Sequence, residues 1–148
     1  MALAKQIELV QLASVQGGMS QFYTPQASDQ TMLVQIPAHS VDDLFVHRNQ
    51  TDQLLVVRGS FVLVVLENRR YCYIPLSEKH PQLVRIPPGI CHGSINFSHQ
   101  PCTLVNAVLR HGPAIARDYQ PAKPPLAYDF QAARQALAEL EFDLPQTA

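Results

Sequence analysis

The sequence predicts an all-β fold, and three observations carry that expectation. Gln53–Arg58 and Phe61–Leu66 are near-continuous apolar runs separated only by Gly59-Ser60, as strands covered on both faces require. A second pair of runs, 83–86 and 90–97, is divided by Pro87-Pro88-Gly89. Proline there presets φ and glycine takes the positive φ of a tight reversal. Finally, a helical pattern is expected only at the far end, where Phe130, Ala133, Leu137 and Leu140 recur at spacings of three and four.

Taken in order, 5–14 is expected as an early strand stopped by Gly17-Gly18, and Leu33–Ile36 and Leu44–His47 as short strands with a turn over Ser40-Val41-Asp42-Asp43. Glu67-Asn68-Arg69-Arg70 reads as a hairpin turn before a strand Tyr71–Pro75. A polar loop 77–82, a strand 83–86, a strand Cys91–Asn96 and a last strand Thr103–Leu109 follow. Prolines 113, 121, 124 and 125 exclude ladder strands and predict an extended surface arm. Asp129 is placed to cap the final helix.

Composition bounds the class. The chain has 148 residues, 47% hydrophobic and 16% charged, which suits one domain with its own core. Eleven basic against twelve acidic residues give no reason to expect nucleic acid or an anionic membrane as partner. No stretch approaches the roughly 18 apolar residues of a membrane span, and the opening residues lack a signal-peptide pattern. Cys72, Cys91 and Cys102 form no even framework, so a cytoplasmic, reducing location is expected.

The candidate site residues cluster around the central turn. In a strand Cys91–Asn96, His92, Ser94 and Asn96 share one face and Cys91 the other, so a Cys91–His92 nucleophile pair is not expected. His47 and His92 are the candidate acid/base groups, because imidazole titrates near working pH. With Asp52 they also form a possible two-histidine, one-carboxylate metal set. If Asp52 faces inward, alternation sends Leu54, Val56 and Arg58 inward too, making Arg58 a candidate anion-binding group. Tyr71 and Tyr73 read as packing residues.

The spacing Pro87-x-Gly89-x2-His92-x3-Asn96 resembles the second motif of the cupin family, and His47-x4-Asp52-x6-Gly59 is similar to the second half of the first. The resemblance spans Leu44 to Arg110 and is strongest to the RmlC-like sugar-nucleotide branch, which includes the dTDP-4-dehydrorhamnose 3,5-epimerases. It implies a double-stranded, jelly-roll-like β-barrel, core about 31–110, with the arm and helix of 111–148 packed outside; the strands apolar on both faces and the terminal appendages make a homodimer the expected state. It implies an epimerase or isomerase in which His47 and His92 move a proton beside a carbonyl. Asp52, Arg58, Asn96 and Asn106 would hold the ligand, for which the resemblance implies a nucleotide sugar. No cofactor is expected, although a divalent metal on His47, Asp52 and His92 is possible; Phe45 stands where metal-binding cupins carry a further histidine. The family's catalytic tyrosine has no match on 103–110, where Asn106 and His111 occupy the neighbourhood, and Asp129 is the only candidate for the aspartate behind the base. The alternative is a cupin that binds a small molecule without chemistry.

Overall fold

The computed structural model describes residues 6–142. Eleven strands form the architecture, all paired antiparallel. A five-stranded sheet runs β1 (Glu8–Gln11), β9 (Gln82–Ile86), β6 (Gln50–Arg58), β11 (Cys102–Arg110), β4 (Gln30–Ile36). A four-stranded sheet runs β5 (Ser40–Val41), β10 (Cys91–Asn96), β7 (Ser60–Glu67), β8 (Arg70–Ser77). The remaining pair is a hairpin of β2 (Ser14–Gly17) and β3 (Ser20–Tyr23).

The two large sheets face each other. Alternation turns Leu54, Val84 and Leu104 of one sheet toward Phe61, Leu63 and Leu76 of the other, and these side chains build the main core. The opposite face of the four-stranded sheet is apolar as well. Its Val62, Val64 and Ile95 are covered by α1 (Phe130–Phe142), which seats a fully buried Ala133 on them. Helix α1 therefore explains why β7 reads as continuously apolar: it is the covering layer. Burying each of the three β-branched side chains is worth about 1.5–3 kcal/mol. The helix starts where expected, with Asp129 Oδ1 accepting from the Ala132 amide at 3.0 Å.

Both turns that the sequence marks are built as their residues demand. Gly89 takes φ 83° after the two prolines, and Asn68 and Arg69 take φ 53° and 62°, the twisted two-residue hairpin that joins β7 to β8. Other expectations are corrected. Ser40–Val41 is a short strand against β10 rather than part of a turn. Leu44–His47 is not a strand; it makes only isolated bridges, Leu44 to Ala122 and Phe45 to His92. Gly17-Gly18 does not end the N-terminal structure but turns a hairpin, Gly18 at φ 59°. That hairpin leaves Val15 and Phe22 exposed, so it carries no buried-face pattern to read. No helix of the described residues is long and apolar enough to cross a membrane.

Candidate active site

A cavity of about 250 Å³ lies between the sheets. Most of its wall is apolar, with Met32, Val34, Leu54 and Leu104 from the larger sheet and Phe61 and Leu63 from the smaller. Six of the polar side chains, His47, Gln50, Asp52, His92, Asn106 and Tyr119, form one cluster, and Gln35, Asp42 and Ser94 line the wall beside it.

Three elements set this cluster. Asp52 and Gln50 point inward from β6, two residues apart, and Asn106 points inward from the adjacent β11. His92 opens β10 directly after the proline turn. His47 lies on the irregular segment before β6, tied down where the Gly89 amide donates to its carbonyl at 2.9 Å. Phe45 exchanges both backbone hydrogen bonds with His92, at 2.7 and 3.0 Å, which fixes the two histidine-bearing segments side by side.

Asp52 is the hub, and it is 3% exposed. Its Oδ1 accepts from Gln50 Nε2 at 2.6 Å and from Asn106 Nδ2 at 3.0 Å. Its Oδ2 is left to the imidazoles: His47 Nε2 lies 3.3 Å away and His92 Nε2 3.5 Å away. The Ile90 carbonyl oxygen is 3.0 Å from His92 Nδ1, which assigns that nitrogen as the donor. A neutral His92 then presents the lone pair of Nε2 toward a carboxylate oxygen. Two acceptors cannot face each other without a proton or a cation between them. The Asp52–His92 contact therefore calls for a proton or a cation between its two atoms.

Burial lowers the pKa of His47 from its ordinary value of 6.5, outweighing the opposing charge of Asp52; His92 lowers it further, while Asp118 pulls the other way. Burial pushes the Asp52 carboxyl up, but the hydrogen bond from His92 and the charges of both histidines overcome it, so the net pKa is lowered. Near neutral pH the site therefore holds an ionised Asp52 and a His47 that prefers to be neutral.

Two residues the sequence did not single out complete the site. A single turn of 3₁₀ helix, Ala116–Tyr119, interrupts the proline arm. It lays the Tyr119 ring against His47, centroids 5.5 Å apart, with the Tyr119 hydroxyl 3.4 Å from Gln50 Oε1. It also buries Asp118 completely: Oδ1 accepts from the Arg48 amide at 3.3 Å, while Oδ2, like His47 Nδ1, has no partner. The arm is thus not confined to the surface, as the prolines suggested. Tyr119 reaches the cavity from outside the barrel strands, so a search of 103–110 for a tyrosine fails. Gln50 was within reach of the sequence, because the alternation that aims Asp52 inward aims Gln50 inward as well.

The other candidates lie elsewhere. Asn96 is buried but outside the cavity wall; it closes the β10–β11 turn, donating to the carbonyls of Ile36 and Gln100 and accepting from the Ser98 amide. Arg58 is exposed at the end of β6. The register between β6 and β11 shifts by one residue there, with Thr103 opposite Arg58 but Leu104 opposite Val56, and this bulge takes Arg58 out of the inward set. Arg85 faces away from the cavity and binds Gln53, Glu8 and Gln26. His111 meets Thr51 on the outside, and Asp129 caps α1. Tyr71 and Tyr73 bind the arm through their hydroxyls, at the Leu126 carbonyl and the Asp129 amide.

No protein-family model and no curated protein matches the sequence. Solved structures do match. A TDP-quinovose 3,4-ketoisomerase from Campylobacter jejuni superposes with a TM-score of 0.65 over 80% of this chain and 94% of its own, at 16% identity. The sugar 3,4-ketoisomerase QdtA from Thermoanaerobacterium thermosaccharolyticum, in complex with TDP, gives 0.64 over 92% and 98%, at 14% identity. A dTDP-4-dehydrorhamnose 3,5-epimerase from Elizabethkingia anophelis gives 0.61 over 74% and 72%, at 12% identity. The chain has the RmlC-like cupin fold. In this fold the three atoms His47 Nε2, Asp52 Oδ2 and His92 Nε2 converge within 4.8 Å of one another. Such a set also fits a first-row divalent ion, with Phe45, on the cavity wall, adding no fourth ligand.

Proposed function

We propose that this cupin is an epimerase- or isomerase-type enzyme that moves a proton beside a carbonyl, on a keto-sugar or a small keto compound. The observation that carries the proposal is the convergence of two imidazoles on one carboxylate oxygen whose partner oxygen is occupied by two amides. His47, neutral at pH 7, takes the proton from the carbon next to the carbonyl; the electron pair of that C–H bond becomes the enolate. The protonated partner in the cluster donates to the enolate oxygen or returns the proton to carbon. Tyr119 and Gln50 border the base and position it. Proton transfer by a placed side chain contributes about 10²- to 10⁴-fold. The fold neighbours include structures holding TDP and TDP-4-keto-6-deoxyglucose, which supports a carbonyl sugar as the starting class of substrate.

The test is solvent deuterium exchange, followed by NMR, into TDP-4-keto-6-deoxyglucose and into simple ketones. Exchange should be lost in His47→Asn and in His92→Asn. Its acid limb should have its midpoint below the ordinary histidine value of about 6.5, because burial depresses the pKa of His47. Binding without exchange in any ketone would leave a ligand-binding cupin.

The three converging donors favour a second reading, in which His47, Asp52 and His92 hold a divalent metal that acts as a Lewis acid toward the carbonyl. The short carboxylate and the missing fourth ligand argue for weak binding. Protein purified without a histidine tag should carry well below one equivalent of transition metal by elemental analysis. Stoichiometric metal that disappears in both His47→Ala and His92→Ala would establish the metal reading.

We also propose a homodimer. On the outer face of the five-stranded sheet, Val10, Leu83, Leu55, Val105 and Leu33 stand opposite one another across the strands; Leu83 is already buried, Val10, Leu55 and Val105 are half-buried, and Leu33 is 68% exposed. A second copy would cover this row. Sedimentation at micromolar concentration should give twice the chain mass; a monomer would end the proposal.

A further inference from the structure

We propose that the cavity takes an uncharged, largely apolar carbonyl compound and excludes nucleoside diphosphates. This rests on the proton-transfer reading and narrows its substrate class. Among the described residues lining the cavity the charged ones are Asp42 and Asp52, and neither arginine nor lysine is present. One oxygen of Asp42 accepts from the Asp43 amide, and Asp52 is consumed by the cluster. The one guanidinium bonded to a lining residue is Arg110. It stands behind Gln50, giving Nη1 to Gln50 Oε1 and Nε to Gln30 Oε1, both at 2.7 Å. Helix α1, which begins at Phe130, contributes no residue to the cavity wall.

A diphosphate needs guanidinium or ammonium partners, or a helix N-terminus, to repay its desolvation. Here the wall offers it two carboxyl side chains, Asp42 and Asp52, and no basic one. The volume points the same way: about 250 Å³ lies below the roughly 300–1,000 Å³ of sites for drug-sized ligands. An apolar ring or chain carrying one carbonyl matches the wall, with its oxygen directed at the polar cluster.

The experiment titrates the protein with cyclohexanone and, separately, with thymidine 5′-diphosphate, each at millimolar concentration, and follows the imidazole NMR signals. Cyclohexanone should produce saturable shifts of His47 and His92 while the exposed pair His39 and His99 stays unmoved. Thymidine 5′-diphosphate should shift neither buried imidazole and should not displace cyclohexanone. Displacement of cyclohexanone by the diphosphate would overturn the proposal, as would the absence of any saturable shift with cyclohexanone. Cyclohexanone that binds but exchanges no α-deuterium leaves this inference standing and defeats the proton-transfer reading. Exchange on a diphosphate-linked ketone that occupies the cavity does the reverse.

Discussion

Replacing Asp52 with asparagine is expected to slow α-proton exchange by about 10²- to 10⁴-fold, the range for losing a positioned acid/base function. The amide matches the carboxylate in shape, so the bonds from Gln50 and Asn106 to one oxygen survive. What disappears is the negative charge that two imidazoles share. His47 then loses the Coulombic pull of Asp52, which opposes burial, and its pKa should fall further below the ordinary histidine value. Both outcomes are measurable on one sample, the rate by deuterium incorporation and the pKa by imidazole NMR. An unchanged His47 titration would mean that the 3.3 Å contact to Asp52 does not couple the two groups.

The second large effect is structural. Gly93 lies on the cavity wall, and a methyl group there would sit 2.7 Å from the Asp43 carbonyl oxygen and 3.1 Å from the Tyr128 hydroxyl. The first neighbour is backbone and cannot swing aside. Gly93→Ala should therefore displace the 42–47 segment, and with it the hydrogen bond that Tyr128 donates to the Asp42 carbonyl at 3.0 Å. Overpacking of this kind costs about 1–3 kcal/mol. Alanine returns only about 0.4–1 kcal/mol through the unfolded chain, so destabilisation wins. The urea midpoint should drop with an unchanged slope. A variant as stable as the parent would show that the strand and the 42–47 segment can separate freely.

These two positions also mark what was legible in the sequence. His47 and Asp52, five residues apart, and His92, forty residues on, were readable together because their spacings to Gly59 and to Pro87–Gly89 resemble the two cupin motifs. The strands flanking Pro87–Gly89 were readable because turn chemistry is local. Three things were not. Arg58 was misdirected by a bulge that depends on how β11 pairs, and no property of β6 alone records it. The β2–β3 hairpin has too little buried surface to leave a pattern. The positions of Asp118 and Tyr119 depend on where the arm lands, and that is set by the bridge from Ala122 to Leu44, a residue more than seventy positions away in the chain. Helix α1 was anticipated, but its role as the cover for Val62, Val64 and Ile95 followed only from the topology.

The route of the arm separates two kinds of inheritance within one pocket. The carboxylate and both imidazoles belong to the barrel strands and the segment locked beside them, where an inserted residue would flip every neighbour to the wrong face. Tyr119 belongs to a span between Pro113 and Pro121 that has no ladder to keep in register. Changes of length there can slide or remove the aromatic ring while His47, Asp52 and His92 stay in place. Descendants of this chain would therefore diversify their ligands by insertion and deletion in that span more readily than by substitution in the barrel.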